Sequence, residues 1–218
     1  MQIVKTISSI RRLIQKAKTE NKTIGFVPTM GAFHEGHLSL MRKCRRENDI
    51  CAVSIFVNPA QFGPREDYRK YPRQEAKDIS FAKKENVDII FIPSVEEMYP
   101  AGYLTSVQVE QLSDRLCGAF RPGHFRGVAT VVAKLLNIVQ PDCLYLGQKD
   151  AQQAVILKRM IRDLNFPTNV NICPTAREAD DLAMSSRNVY LMPQERKEAA
   201  VHLSVFLGRT AEDLAKIH

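Results

Sequence analysis

Short runs of β-branched and aliphatic residues alternate along the chain with longer amphipathic stretches. Ile7, Ile10, Leu13, Ile14 and Ala17 recur at helical spacing, and Thr6 stands where a side-chain oxygen caps a first turn. Ile24-Gly-Phe-Val reads as a strand, followed by a glycine-bearing turn and a helix from about Gly36. Ile50–Val57 reads as a second buried strand, Glu75–Asn86 as a helix and Val87–Ile92 as a third strand. Val107-Gln-Val reads as a short edge strand. Val128–Val139 reads as a helix that stops before Pro141, which cannot continue it. Cys143–Leu146 is then a strand, Ala151–Leu164 a helix and Val170–Cys173 a last strand.

Strands separated by helices predict an α/β protein with a Rossmann-like parallel sheet and helices on both faces. In such sheets ligands bind beyond the carboxyl ends of the strands, where strand order reverses, so the loops after the strands are the ones to inspect. After Asn188 the pattern changes to Pro193-Gln-Glu-Arg and one long helix, with no further strand. The expected division is therefore 1–187 as the strand-bearing domain and 188–218 as the start of a smaller C-terminal domain.

Composition narrows the function classes. With 44% apolar and 25% charged residues the chain is ordinary for a globular protein, and its apolar runs are too short for a membrane span. The N-terminus lacks the apolar stretch of a signal peptide. The five cysteines are scattered, with no Cys-x-x-Cys pair, which argues against a disulfide scaffold or a cysteine zinc site and for a reducing cytoplasm. The net charge of +7 sits almost wholly in the first fifty residues, densest at Arg42-Lys43-Cys44-Arg45-Arg46. That run reads as the solvated face of a helix, with Cys44 buried beneath it. Nucleic acid is not expected, because aromatics are sparse and do not alternate with the basic residues. An anionic small molecule explains the bias as well.

The loop after the first predicted strand reads Pro28-Thr-Met-Gly-Ala-Phe-His34-Glu-Gly-His37-Leu. Two histidines three apart at a helix start share one face near its positive end, where free N–H groups suit phosphate. Gly31 and Gly36 let backbone approach a ligand closely. A zinc site finds no third ligand at usable spacing, so no metal ligands are expected from the protein.

The His-x-Gly-His at 34–37 resembles the nucleotidyltransferase superfamily, and the longer string Pro28–His37 resembles the narrower pantothenate synthetase (pantoate–β-alanine ligase) family. The same order of motifs continues through Phe56–Pro64, Lys70–Arg73, Arg121–Gly127, Gly147–Gln153 and Arg177–Asn188. The resemblance implies ATP-dependent condensation of pantoate with β-alanine through a pantoyl adenylate, releasing AMP and pyrophosphate, a step toward coenzyme A. It implies ATP as substrate, Mg2+ carried by its phosphates, and a cytoplasmic homodimer with small-molecule partners.

By the same resemblance His37 and His34 face the phosphates, and Lys149 and Arg187 are cations reaching the same polyphosphate. The ATP site comprises Met30, Gly31, Ala32, Phe33, His34, Glu35, Gly36 and His37. It continues with Gly147, Gln148, Lys149, Asp150, Ala176, Met184, Ser185, Ser186 and Arg187. Asp150 and the Gly147 backbone are placed for ribose, and Met30 and Ala176 for the nucleotide. Gln61 and Gln153 hold pantoate, and Gln61 also meets β-alanine. Tyr71 and Arg121 are assigned neither a structural nor a chemical role.

Three positions depart from the family's pattern. Asp181 stands where glycine is usual, which predicts altered backbone and an unfavourable carboxylate near the polyphosphate. Gln148 takes a position often charged, and Phe33 one usually held by a smaller aliphatic. The family continues beyond residues 188–218 into a domain covering the site, so this segment reads as a lid's beginning. Two other readings are another His-x-Gly-His adenylyltransferase, and a nucleic-acid-binding module built on the basic first fifty residues.

Overall fold

The computed structural model describes residues 1–196 together with 198 and 199. Six parallel strands form one sheet: β1 (Gln2–Val4), β2 (Ile24–Thr29), β3 (Ile50–Ile55), β4 (Ile89–Phe91), β5 (Cys143–Gly147) and β6 (Asn169–Cys173). Their order across the sheet is β1-β4-β3-β2-β5-β6. The chain winds outward from β2 through β3 to β4, then returns to place β5 against the other side of β2. Strand order therefore reverses between β2 and β5. That reversal is the doubly wound pattern, and it opens a crevice at the carboxyl ends of these two strands.

The helices follow from burial of apolar stripes on both faces. In α1 (Ile7–Thr19) the buried residues Ile10, Ile14 and Ala17 fall on one side, and Thr6 caps the first turn by accepting the Ser9 N–H at 3.2 Å. It packs with α6 (His124–Val139) and α7 (Ala151–Asp163) over one face, around Phe26, Phe91 and Leu144. The other face is covered by α2 (Glu35–Glu47) and α3 (Glu75–Lys84), around Val27, Val53 and Tyr145. Neighbours Phe26 and Val27 thus point to opposite sides of β2, as strand geometry requires. Two single-turn helices, α4 (Val95–Met98) and α5 (Cys117–Phe120), lie in the connection before α6.

Some sequence expectations shift. Gln2–Val4 is an added edge strand, pairing with β4, that three half-exposed residues did not announce. Val107–Val109 is no strand: the Val107 N–H donates to the Thr130 hydroxyl at 2.9 Å, which docks this segment on α6 instead of the sheet. The α6 helix starts at His124, four residues before Val128, because Gly123 in the left-handed region (φ +81°) turns the chain into it. The basic run of α2 is indeed a helix face, with Arg42 paired to Glu35 and Glu85, Arg45 to Asp88, and Cys44 buried beneath. No described helix is long and apolar enough to cross a membrane. The expected C-terminal segment 188–218 lies for the most part outside the described residues.

Candidate functional site

β2 delivers the loop 30–34 to the crevice, and α2 begins immediately after it. His34 is the residue before the first helical turn, in extended conformation (φ −131°), and His37 lies in that turn. The two rings sit 4.1 Å apart between centroids. The His34 backbone N–H donates to His37 Nδ1 at 3.3 Å. An Nδ1 that accepts leaves the proton of a neutral His37 on Nε2, the ring's other end. Burial, the neighbouring His34 and Lys149 together hold His37 well below its usual pKa. Burial first, and Lys149 second, lower His34 to about 4. The pair is neutral near pH 7, and His34 Nδ1 is buried with no hydrogen-bond partner among the described residues.

Gly36 is what lets the rings sit there. A methyl group at that position would stand 2.9 Å from the Cε1 and Nδ1 atoms of His34. The loop itself is held in an unusual shape. Gly31 has φ +84°, and Ala32, unusually for a residue with a side chain, has φ +51°. Asp78 on α3, only 1% exposed, accepts the N–H groups of Ala32 at 2.8 Å and Phe33 at 2.7 Å. Ser186 donates its hydroxyl to the Ala32 carbonyl at 3.1 Å. The peptide groups around Ala32 are therefore clamped on both sides, by α3 and by the 185–187 loop.

From β5 comes the turn Gln148–Asp150, which places Lys149 and Asp150 at the same crevice, their charged groups 3.7 Å apart. Gln153 follows on the first turns of α7. After β3, Asn58 opens a short turn, Pro59–Gln61, that carries Gln61. The Asn58 side chain is fixed at both ends. Its oxygen accepts from the Tyr99 hydroxyl at 2.9 Å and the Ala60 N–H at 3.2 Å, and its amide donates to Gln61 Oε1 at 3.1 Å. Gln61 is thereby oriented with its amide N–H group toward the Met30 sulfur, 3.0 Å away, on the wall of the cleft.

One cleft at the carboxyl ends of β2 and β5 unites these groups. Met30, His34, His37, Lys149 and Asp150 line its floor. Gln61, Gln153, Ser185, Ser186 and Arg187 line it from other elements. Four cationic or imidazole groups from three loops thus meet two uncharged amides. Arg187 is engaged by Asp67 and lies over the rings of Phe62 and Tyr71, which also fills part of the wall. Ser185 accepts the Arg187 N–H at 3.2 Å, so its own hydroxyl proton stays available.

Other sequence candidates have different positions. Phe33 is buried against the α2–α3 layer, where its size fills core space, and Glu35 turns outward to Arg42. The N–H groups of Ala32 and Phe33 are taken by Asp78, so these two residues shape the loop and do not offer donors to the cleft. Ala176 and Met184 are joined by a backbone hydrogen bond of 3.0 Å, at the neck of a hairpin close to Gly36. Gly147 and Gln148 end β5 beside Lys149. Asp181 keeps the left-handed backbone of the expected glycine (φ +65°), and its carboxylate, 73% exposed, faces Arg177 instead of the cleft.

Asp78, Asp67, Asn58 and His124 are the site's supporting residues that sequence reasoning left without roles. For Asp78 a signal existed: a carboxylate at the buried stripe of α3, beside Ala82, is a position where acids need a partner. Among the described residues no group of three or more His, Cys, Asp or Glu is arranged to hold a metal.

The profile of the family described as Pantoate-beta-alanine ligase matches residues 2–218. Pantothenate synthetase of Moorella thermoacetica is 57% identical over 209 residues, covering 95% of this chain and 74% of the relative. That of Thermotoga neapolitana is 59% identical over 199 residues, 91% and 71% respectively. The crystal structure of pantothenate synthetase from Thermus thermophilus superposes with a TM-score of 0.88 at 51% identity, covering 92% of this chain and 71% of that one. Pantoate-beta-alanine ligase from Francisella tularensis, complexed with beta-gamma ATP and β-alanine, gives 0.88 at 41% identity, covering 94% and 78%.

Proposed function

Because the chain belongs to the pantoate–β-alanine ligase family, we propose a division of that reaction among the residues of the cleft. The activity condenses pantoate with β-alanine at the expense of ATP, through pantoyl adenylate, releasing AMP and pyrophosphate. Both nucleophiles belong to substrates, so the protein supplies position and positive potential. In the first step a pantoate carboxylate oxygen attacks the α-phosphorus and the bond to pyrophosphate breaks. In the second the β-alanine amine attacks the acyl carbonyl, AMP departs and the amine gives up a proton.

The N-terminus of α2 aims its free N–H groups and partial positive charge at the polyphosphate. His37 presents Nε2–H to it as a neutral hydrogen-bond donor, with His34 beside it. Lys149 and Arg187 provide full charges from opposite walls, and Ser185, Ser186 and Met184 belong to the loop that covers the phosphates. Asp150 accepts from ribose hydroxyls next to the Gly147 backbone, while Met30 and Ala176 flank the nucleotide. Gln61 offers its amide, which lines the cleft, to pantoate and then β-alanine, and Gln153 completes the pantoate side. A neutral amide orients the attacking carboxylate without over-stabilising it. Mg2+ enters with ATP, on its phosphates.

We read residues 1–187 as the nucleotide- and pantoate-binding domain, with a lid domain starting at 188. A cytoplasmic homodimer is the setting the resemblance implies, and free, mostly buried cysteines support a reducing compartment. The observation that carries the reading is the convergence of His34, His37, Lys149 and Arg187 with Gln61 and Gln153 in one cleft. Incubation with Mg·ATP, pantoate and β-alanine should yield AMP, pyrophosphate and pantothenate in equal amounts. ADP and phosphate would overturn it, since they mark attack at the γ-phosphorus.

A further inference from the structure

We infer that His124 is a positioning residue for the acid substrates, acting through the backbone carbonyl of Gln61. The inference rests on the assignment of Gln61 to pantoate. His124 is the first residue of α6 and lines the same cleft. Its Nδ1 lies 2.8 Å from the Gln61 carbonyl oxygen, and its Nε2 lies 3.1 Å from Nη1 of Arg121.

A guanidinium only donates, so Nε2 must accept, and the single proton of a neutral ring sits on Nδ1, donated to Gln61. Both ring nitrogens are thus committed, and the tautomer is dictated by the protein. Arg121 is itself held by Glu66, which accepts its Nε–H at 2.8 Å and one terminal N–H beside it. The result is a line of hydrogen bonds from Glu66 through Arg121 and His124 to the main chain of Gln61. Burial, with Arg121 adding to it, lowers the imidazole's pKa, in keeping with a ring that stays neutral.

The packing beneath shows that this turn is seated on α6 and not free. A methyl group at Gly127, one turn along from His124, would stand 2.2 Å from the Ala60 carbonyl oxygen. Asn58 reaches across to the Gly127 carbonyl at 3.0 Å. The helix backbone therefore abuts the turn, and His124 supplies the directional bond at its far end. Its loss leaves the turn and the Asn58 contact in place but loosens the Gln61 peptide, so the amide presented to pantoate is aimed by its side-chain contacts alone. The nucleotide side, built on β2 and β5, does not use this contact.

The test compares four variants by steady-state kinetics, reading the pantoate and ATP KM values separately. Asn reproduces an Nδ1-like donor, whereas Gln reproduces the Nε2 position. His124→Ala and His124→Gln should raise the pantoate KM about five- to tenfold, the size of one hydrogen bond, and leave the ATP KM within about twofold. His124→Asn should recover most of the loss. Asn and Gln variants that behave alike, or parallel rises in both KM values, would overturn the role of His124. Should His124→Ala fail to fold, the Asn–Gln comparison decides. Gln61→Ala is the control for the underlying assignment. An unchanged pantoate KM there would overturn both readings, while a raised one with inert His124 variants would overturn only the positioning role.

Discussion

Arg187 lies across Asp67 in a two-pronged ion pair, Nε to Oδ2 at 2.9 Å and Nη2 to Oδ1 at 2.8 Å. Two of the five N–H donors of the cation assigned to the polyphosphate are thus engaged by a carboxylate, and the pairing holds the Asp67 pKa below the usual carboxylate range. A phosphate oxygen meets the remaining N–H donors, but the Asp67 carboxylate then stands beside it and opposes its charge. The arginine side chain is 41% exposed and the Asp67 side chain 24%, so solvent screens that carboxylate only in part. Asp67→Asn should therefore tighten ATP and pyrophosphate binding by up to about fivefold, because a negative charge facing the anion is removed. Calorimetric titration with pyrophosphate measures it. Weaker binding in the variant would show that Asp67 aims Arg187 and does not compete for it.

The two histidines make a pH-dependent prediction. A histidine whose folded pKa is depressed gives stability that is present above its unfolded value, about 6.5, and lost as pH falls through the folded value. With His34 at about 4 and His37 also lowered, denaturant midpoints should drop between roughly pH 6.5 and 4. In the free protein the His34 ring resonances in NMR should titrate around pH 4, and those of His37 well below its usual range. They should move upward when pyrophosphate binds, since an anion favours the imidazolium. A His34 midpoint near 6.5 without ligand would mean that the pocket is wetter than its burial indicates. His37→Ala should slow adenylate formation by about 10²–10³, the size of one charge-stabilising donor.

Asp78 carries the loop that presents those rings. Each of its oxygens accepts one backbone N–H, from Ala32 and Phe33. In Asp78→Asn one oxygen becomes an amide that faces a donor with another donor. The cost should be about 1–3 kcal/mol of stability. Adenylation should fall as well, because Ala32 holds a left-handed backbone only under that clamp. Thermal unfolding and single-turnover rates read the two effects. Full activity alongside lowered stability would place Asp78 in the fold alone.

The parallel sheet was legible because its central strands are continuous apolar runs, and β2 and β3 are buried almost throughout. The edge strand β1 was not, since a partner 87 residues away decides it and its own side chains are half exposed. The same holds at the site. His34, His37, Lys149 and Arg187 stand in motifs read locally. Their partners arise from tertiary proximity: Asp67 is 120 residues from Arg187, and Asp78 is 46 from Ala32. No periodicity records such pairs. His124 stood inside a recognised motif, but its role depends on the carbonyl of Gln61, 63 residues away.

Asp181 allows strain and charge to be separated. Its φ of +65° is a conformation that costs most residues about 1–2 kcal/mol and aspartate less. Glycine accepts it freely but loses more entropy on folding. The Arg177 side chain stays attached in either case, because Nη1 donates to the Asp181 backbone carbonyl at 2.8 Å, whereas the carboxylate contact is a loose 3.7 Å. Asp181→Gly should therefore change stability by no more than about 0.5–1 kcal/mol, and Asp181→Val should cost about 1–2 kcal/mol. Because the carboxylate faces solvent, ATP affinity should be unchanged in the glycine variant. Urea denaturation and ATP titration measure the two quantities independently. A several-fold gain in ATP affinity on removing the carboxylate would show that the hairpin turns Asp181 toward the phosphates when nucleotide binds.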